Sequence, residues 1–215
     1  MLTVYGEGRG FRVVWLLEEL GLAYRLRPVD LLTVETDDDF LAINPAGFIP
    51  ALRDGDTVMV ESVAILQYLL ARHGGDWLAV APDDPAFAPY LQFLHLGEAG
   101  LAGPMNAVFV GRELAPEAER NARVTSWAFE TFASRLKLVI RRLADHRYLA
   151  GDRFTAADIS VSYALLLGLR TGNYVPESTE RDYLARVTAR PAYARAMESC
   201  RATKDWAARS PGLFG

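Results

Sequence analysis

The sequence predicts an α/β domain followed by an all-α helical domain, and two observations carry that prediction. Over about the first 75 residues, short stretches of strand character alternate with stretches of helical spacing. Past a segment rich in Pro, Asp and Ala, strand character disappears and only long helical patterns remain. The expected organisation is therefore residues 1–76 as the α/β domain, 77–88 as a linker and 89–215 as the helical domain.

The elements follow in order. Leu2–Tyr5 has the character of a short strand, stopped by Gly6, Gly8 and Gly10. Val13, Val14, Leu16, Leu17 and Leu20 then fall at helical spacing, with Glu18 and Glu19 expected in solvent and Gly21 placed as a C-cap. Residues 24–29 alternate as a second strand, a candidate parallel partner of the first because a helix crosses over between them. Thr36-Asp37-Asp38-Asp39 supplies negative charge at the start of a short helix running toward Ile43. Pro50 opens a strand, Ala51-Leu52-Arg53, and the turn Asp54-Gly55-Asp56 reverses it into residues 57–60. Ser62 is expected to cap an amphipathic helix whose apolar positions are Val63, Ile65, Leu66, Leu69 and Leu70. The sum is β-α-β-α-β-β-α, the thioredoxin-like order.

Helical patterns in the second half cover residues 89–111, 116–145, 155–169 and 180–200. Thr155 and Asp158 have the spacing of a capping box, with Asp in place of the usual Glu, and Phe154 and Ile159 flank it as a hydrophobic staple. The role of that box is structural.

Composition narrows the function classes. With 51% apolar residues over 215 positions the chain is globular, with ample core. A net charge of −4 gives no electrostatic footprint for nucleic acid or an anionic membrane surface. The longest apolar run, residues 159–169, is too short to span a bilayer. Cys200 stands alone, so no internal disulfide forms, which fits a reducing cytosol. Glu7, Arg9, Arg12 and Glu18 fit no secretory leader, and the expected location is cytoplasmic. His73, His95 and His146 show no zinc-ligand spacing, so no metal is expected. Gly6-Glu7-Gly8-Arg9-Gly10 lacks the spacing and the Lys-Ser/Thr ending of a phosphate loop.

The chemistry concentrates in residues 44–62. A cis bond before Pro50 would present the N–H and C=O of Ile49 to an extended ligand. Ser62, following Glu61, would offer its hydroxyl and the first amides of its helix to a carboxylate. Asn44-Pro45-Ala46-Gly47-Phe48-Ile49-Pro50, the Glu61-Ser62 pair, the run Trp15-Leu16-Leu17-Glu18-Glu19-Leu20-Gly21 and the Thr155–Asp158 box together resemble the cytosolic glutathione S-transferase family, of bacterial type. The resemblance covers nearly the whole chain.

That resemblance implies that Ile49 and Pro50 bind the cysteinyl backbone of glutathione and that Glu61 and Ser62 hold its γ-glutamyl end. It implies glutathione as co-substrate, conjugation to a small hydrophobic electrophile, a homodimer and a detoxifying role. The thiolate is the nucleophile, and a cysteine-like thiol near ~8.5 is only slightly ionised at neutral pH. In the family a Ser or Tyr at the end of the first strand or in the following loop assists it, yet this loop contains no Ser, Thr or Cys. Two candidates remain. Tyr5, in Tyr5-x-x-x-Arg9-Gly10, resembles the tyrosine-type pattern; Arg9 could instead stabilise the thiolate by charge, aided by the amides of Gly8, Arg9 and Gly10. Phe48 stands where relatives commonly carry a polar residue for the glycine carboxylate, leaving Arg53 or a residue of the first loop for that role. Met105, Asn106, Phe109 and Trp206 are the candidate wall of the electrophile site. The alternative reading is a non-catalytic scaffold that binds or carries apolar ligands or a protein partner.

Overall fold

A computed structural model describes residues 1–120, 122–171 and 174–201. The strands are β1 (Leu2–Tyr5), β2 (Tyr24–Arg27), β3 (Ala51–Asp54) and β4 (Thr57–Val60). The helices are α1 (Phe11–Leu20), α2 (Asp38–Leu41), α3 (Ser62–His73), α4 (Phe87–His95), α5 (Gly103–Phe109), α6 (Arg123–Asp145), α7 (Ala156–Arg170), α8 (Ser178–Thr188) and α9 (Pro191–Arg201). The described residues divide into two compact units, 1–75 with 188–201, and those within 76–187. By its contacts α9 therefore groups with the first unit and not with the helices that precede it.

In the first unit the sheet order is β2-β1-β3-β4. β1 and β2 are parallel, as the crossover helix requires, while β1–β3 and β3–β4 are antiparallel. β2 stops at Arg27, two residues sooner than the alternation suggested, because Pro28 has no N–H for the ladder. Val4 of β1, Val13, Val14, Leu16 and Leu17 of α1, and Ile65, Leu66 and Leu69 of α3 are fully buried. Tyr5, Val29, Phe40 and Ala51 form a separate cluster, packed by Val34, Ile43, Ile49 and Val60. Gly21 ends α1 in the left-handed region at φ 65°, and the next N–H, of Leu22, donates to Leu17 O at 3.0 Å. The acidic run before α2 resolves into a cap: Asp37 accepts from Phe40 N at 3.0 Å and takes two bonds from Arg27, at 3.0 and 2.6 Å.

Two expectations change in this unit. The helical pattern over 180–200 is broken: α8 ends at Thr188 and α9 begins at Pro191, whose missing N–H starts a helix more readily than it continues one. Glu18 and Glu19 are half-buried and not free in solvent, because α9 returns onto α1. Arg190 makes two bonds to Glu19, at 2.6 and 2.8 Å, Trp15 Nε1 donates to it at 3.0 Å, and Arg195 Nε reaches Glu18 at 2.7 Å.

In the second unit the pattern over 89–111 is a longer helical run. α4 passes through a π-helical turn, Leu96–Ala102, into α5, and a second π turn follows at Val110–Leu114. Widened turns leave carbonyls without their usual partner. Ser160 Oγ of α7 donates to Leu94 O, in the last turn of α4 before the π-helical segment, at 2.7 Å. Gly97 permits that approach, since a Cβ there would lie 2.6 Å from Ser160 C. α7 is buried on nearly all sides from Ala156 to Leu165, as a central helix must be. Its capping box forms: Asp158 Oδ2 accepts from Thr155 N at 2.8 Å and from Thr155 Oγ1 at 3.2 Å. Asp158 Oδ1 also accepts from Leu149 N and from Tyr183 Oη, each at 3.0 Å.

Of the candidate wall residues, Met105 is fully buried, Asn106 and Phe109 are half-buried, and Trp206 lies outside the described residues. Among the described residues no helix is long and apolar enough to cross a membrane.

Candidate active site

Sheet register gathers the segments that the sequence singled out. Tyr5 pairs with Ala51, and Ala51 pairs with Val60. The residues just beyond this row are Gly6 after Tyr5, Pro50 before Ala51, and Glu61 after Val60. Adjacent strands lie about 4.8 Å apart, so the three segments meet across about 10 Å of sheet edge, the scale of a short extended peptide.

Asn44 shapes the approach to Pro50. It is 4% exposed; its Nδ2 donates to Phe48 O at 2.6 Å and its Oδ1 accepts from Ala46 N at 3.2 Å. The Ile49–Pro50 bond that follows is cis. Ile49 is half-buried and Pro50 buried. The loop after β1 lies directly on this pair. A Cβ on Gly6 would come within 2.6 Å of Ile49 Cβ, and one on Gly10 within 3.4 Å of Pro50 Cβ. Gly6 also has φ 82°, so both conformation and space call for glycine there. The loop is fixed at both ends, by Gly6 N to Arg27 O at 2.8 Å and by Gly10 N to Glu7 O at 3.0 Å.

Ser62 is 2% exposed and is the first residue of α3, with Glu61 in the N-cap position. Glu61 itself is exposed. It holds φ 73° and ψ 103°, a costly conformation for a residue with a side chain and one that concentrates at functional sites. Ser62 is therefore not the N-cap residue, and the side chain that holds that position, Glu61, makes no cap bond. Instead Arg12 Nη1 donates to Ser62 Oγ at 3.1 Å. Arginine has no acceptor, so Ser62 receives this bond and keeps its own proton free to donate elsewhere. Arg12 is 0% exposed and adds fixed positive charge behind the hydroxyl. From the sequence alone Arg12 stands out only as a charge unsuited to a leader. The available signal was its place among Phe11 to Leu17, which are buried without exception.

The two candidates for the sulfur lie on different parts of the unit. Tyr5 is 8% exposed, with its ring centroid 6.1 Å from that of Phe40 and the Arg27 guanidinium 5.8 Å above it. Arg9 is half-buried within the 3₁₀ turn Gly8–Gly10 that leads into α1. Between them Glu7 is half-buried, its Oε1 is enclosed without a hydrogen-bond partner, and burial raises its carboxyl to about 7. Phe48 is 38% exposed, and Arg53 pairs with Thr3, two rows away from Ala51. Among the described residues no group of three His, Cys, Asp or Glu side chains is gathered to hold a metal ion.

Comparison with known proteins places both units. Residues 10–77 match the family "Glutathione S-transferase, N-terminal domain" and residues 100–191 match "Glutathione S-transferase, C-terminal domain". Glutathione S-transferase 3 of Zea mays is 34% identical over 192 residues, covering 85% of each chain. GstB of Escherichia coli K12 is 28% identical over 200 residues, 89% of this chain and 95% of its own. Among solved structures, the theta class glutathione S-transferase of Xanthomonas axonopodis pv. citri, with glutathione bound, superposes with a TM-score of 0.79 at 29% identity over 91% of this chain and 96% of its own.

Proposed function

Because the chain belongs to the glutathione S-transferase family, we propose that it joins the thiolate sulfur of glutathione to a small hydrophobic electrophile. The observation that carries this reading is the register that brings Gly6, Ile49-Pro50 and Glu61-Ser62 to one sheet edge. The backbone of Ile49 beside Pro50 pairs with the cysteinyl unit of glutathione, the co-substrate. Ser62 donates to the γ-glutamyl carboxylate, with Arg12 strengthening that bond from behind, and exposed Glu61 accepts from the α-ammonium. Tyr5 or Arg9 stabilises the sulfur anion. The glutathione held by the Xanthomonas enzyme supports the choice of co-substrate. The same reading makes the protein a cytoplasmic homodimer with a detoxifying role.

Calorimetric titration with glutathione tests the site. Wild type gives saturable binding, and Ser62→Ala weakens it about 5- to 10-fold, the effect of one hydrogen bond at ~1–1.4 kcal/mol. Absence of wild-type binding at millimolar glutathione sinks the proposal.

A further inference from the structure

The loop on top of Ile49 and Pro50 carries an acid to which the conjugation scheme above gives no task. Glu7 Oε1 is enclosed and receives no hydrogen bond. A buried carboxyl oxygen without a donor is costly, and native structures seldom leave one without a water, an ion, a ligand or a reaction to account for it. The backbone around Glu7 is held in place: Gly6 rests on Ile49, Gly10 on Pro50, and Glu7 O itself accepts from Gly10 N. The backbone that carries the acid is therefore held beside the residue pair assigned to the cysteinyl unit, which is the unit that bears the thiol. Meanwhile the loop offers no hydroxyl or thiol of its own.

We propose that the Glu7 carboxylate is the base that takes the proton from the glutathione thiol. This inference rests on the reading of Ile49 and Pro50 as the cysteinyl subsite. In the step, the S–H bond breaks, its electron pair stays on sulfur, and an O–H bond forms on Glu7. The thiolate then attacks the electrophile and a C–S bond forms. In a substitution the leaving group departs with its bonding pair; in an addition the displaced pair moves onto the acceptor atom. The proton on Glu7 passes to that group or to water, which restores the carboxylate.

The surroundings suit the task. Burial is the cause that lifts the Glu7 carboxyl to about 7. An ordinary glutamate near ~4.3 would lie about four units below a thiol near ~8.5, and the lifted acid closes more than half of that gap. Arg9 and Arg12 share its segment, Arg27 lies on the neighbouring strand, and Ile49 and Pro50 contribute no charge. Arg9 and Tyr5 keep their place as stabilisers of the anion once the proton has left.

The test compares wild type, Glu7→Gln and Glu7→Asp, with glutathione binding followed by calorimetry and turnover by an activated chloronitrobenzene. Glu7→Gln is expected to bind glutathione within about twofold of wild type while losing about 100-fold in kcat/KM at pH 7. Its pH profile should lose the inflexion near 7 and rise instead toward the thiol's own ~8.5. Glu7→Asp keeps an acid, set back by one methylene, and should keep the inflexion at reduced rate. A Glu7→Gln enzyme that binds, turns over and titrates like wild type overturns the assignment, as does a Glu7→Asp enzyme without the inflexion. If wild type itself binds no glutathione, the calorimetry records the failure of the subsite directly, and this proposal falls with it.

Discussion

Burial pushes two carboxyl groups upward in opposite surroundings, one in each unit. Asp158 of the helical unit is fully buried and accepts from Leu149 N, Thr155 N, Thr155 Oγ1 and Tyr183 Oη. Burial raises it, those donors pull it back, and it settles at about 6. Glu7 of the sheet unit is less deeply buried, yet it reaches about 7, with burial as the cause and no donor on Oε1. A carboxylate whose lone pairs are filled by its own chain is committed to architecture. One whose lone pairs are left open retains capacity for a ligand. Depth of burial therefore does not separate a structural acid from a chemical one; the count of donors does.

The largest expected effect lies on the architectural side. Asp158→Ala removes the acceptor of four bonds and leaves at least Leu149 N and Thr155 N buried without their partner. Each stranded donor costs on the order of 1–3 kcal/mol, so a loss of about 3 kcal/mol or more is expected. For a chain of this size that lowers Tm by roughly 10 °C in a calorimetric scan. Glutathione affinity of the folded protein should stay within about twofold. A stability loss below ~1 kcal/mol would break the contrast drawn between the two acids.

The same pair shows what could be read from sequence and what could not. Thr155 and Asp158 lie three residues apart, so their box is a local pattern and was legible. Tyr183, whose hydroxyl completes the set of donors to Asp158 from α8, lies 25 positions further on and left no sequence trace. Ile49-Pro50 and Glu61-Ser62 are likewise local motifs. The partner of Ser62, Arg12, sits 50 positions away, and folding decided between a cap and a buried ion–hydroxyl bond. Glu18 and Glu19 were expected in solvent because Arg190 and Arg195 approach them from more than 170 positions away. The break at Pro191 was different: its signal was present, but continuous periodicity around it outweighed one residue. Glu7 was visible in the loop throughout. Only the enclosure of its Oε1 gives it meaning.

An intermediate effect sharpens the comparison by removing a buried cation in place of a buried acid. Arg12→Met keeps most of the side-chain volume and deletes the donor to Ser62 Oγ. With that bond gone the hydroxyl loses its fixed orientation and the carboxylate its nearby positive charge. The KM for glutathione should rise about 10-fold with kcat within about twofold, the pattern of lost uniform binding. Because Arg12 acts through Ser62, the Arg12→Met, Ser62→Ala pair should fall well short of additivity. Full additivity would mean that the 3.1 Å bond does not couple the two residues.

The smallest effect concerns stability and pH, and its sign follows from the open acid. Burial lifts the Glu7 carboxyl from its ordinary 4.5 to about 7 in the folded protein. Between those values the folded state holds a proton that the unfolded chain has released, so this group's contribution to stability falls as pH rises from about 4.5 to 7. Below 4.5 both states are protonated and the contribution is fully present; above 7 both are ionised, and the folded state keeps a buried charge that lacks a donor. Glu7→Gln removes the charge with little change of shape. Its Tm should equal wild type at pH 4 and exceed it at pH 8, with the difference growing through the interval between the two titrations. The same experiment on Asp158→Asn should run the other way at pH 8, because an amide cannot accept from all the donors that the carboxylate satisfies. If Glu7→Gln is instead less stable than wild type at pH 8, Glu7 has a donor in solution, and the two acids are alike in kind.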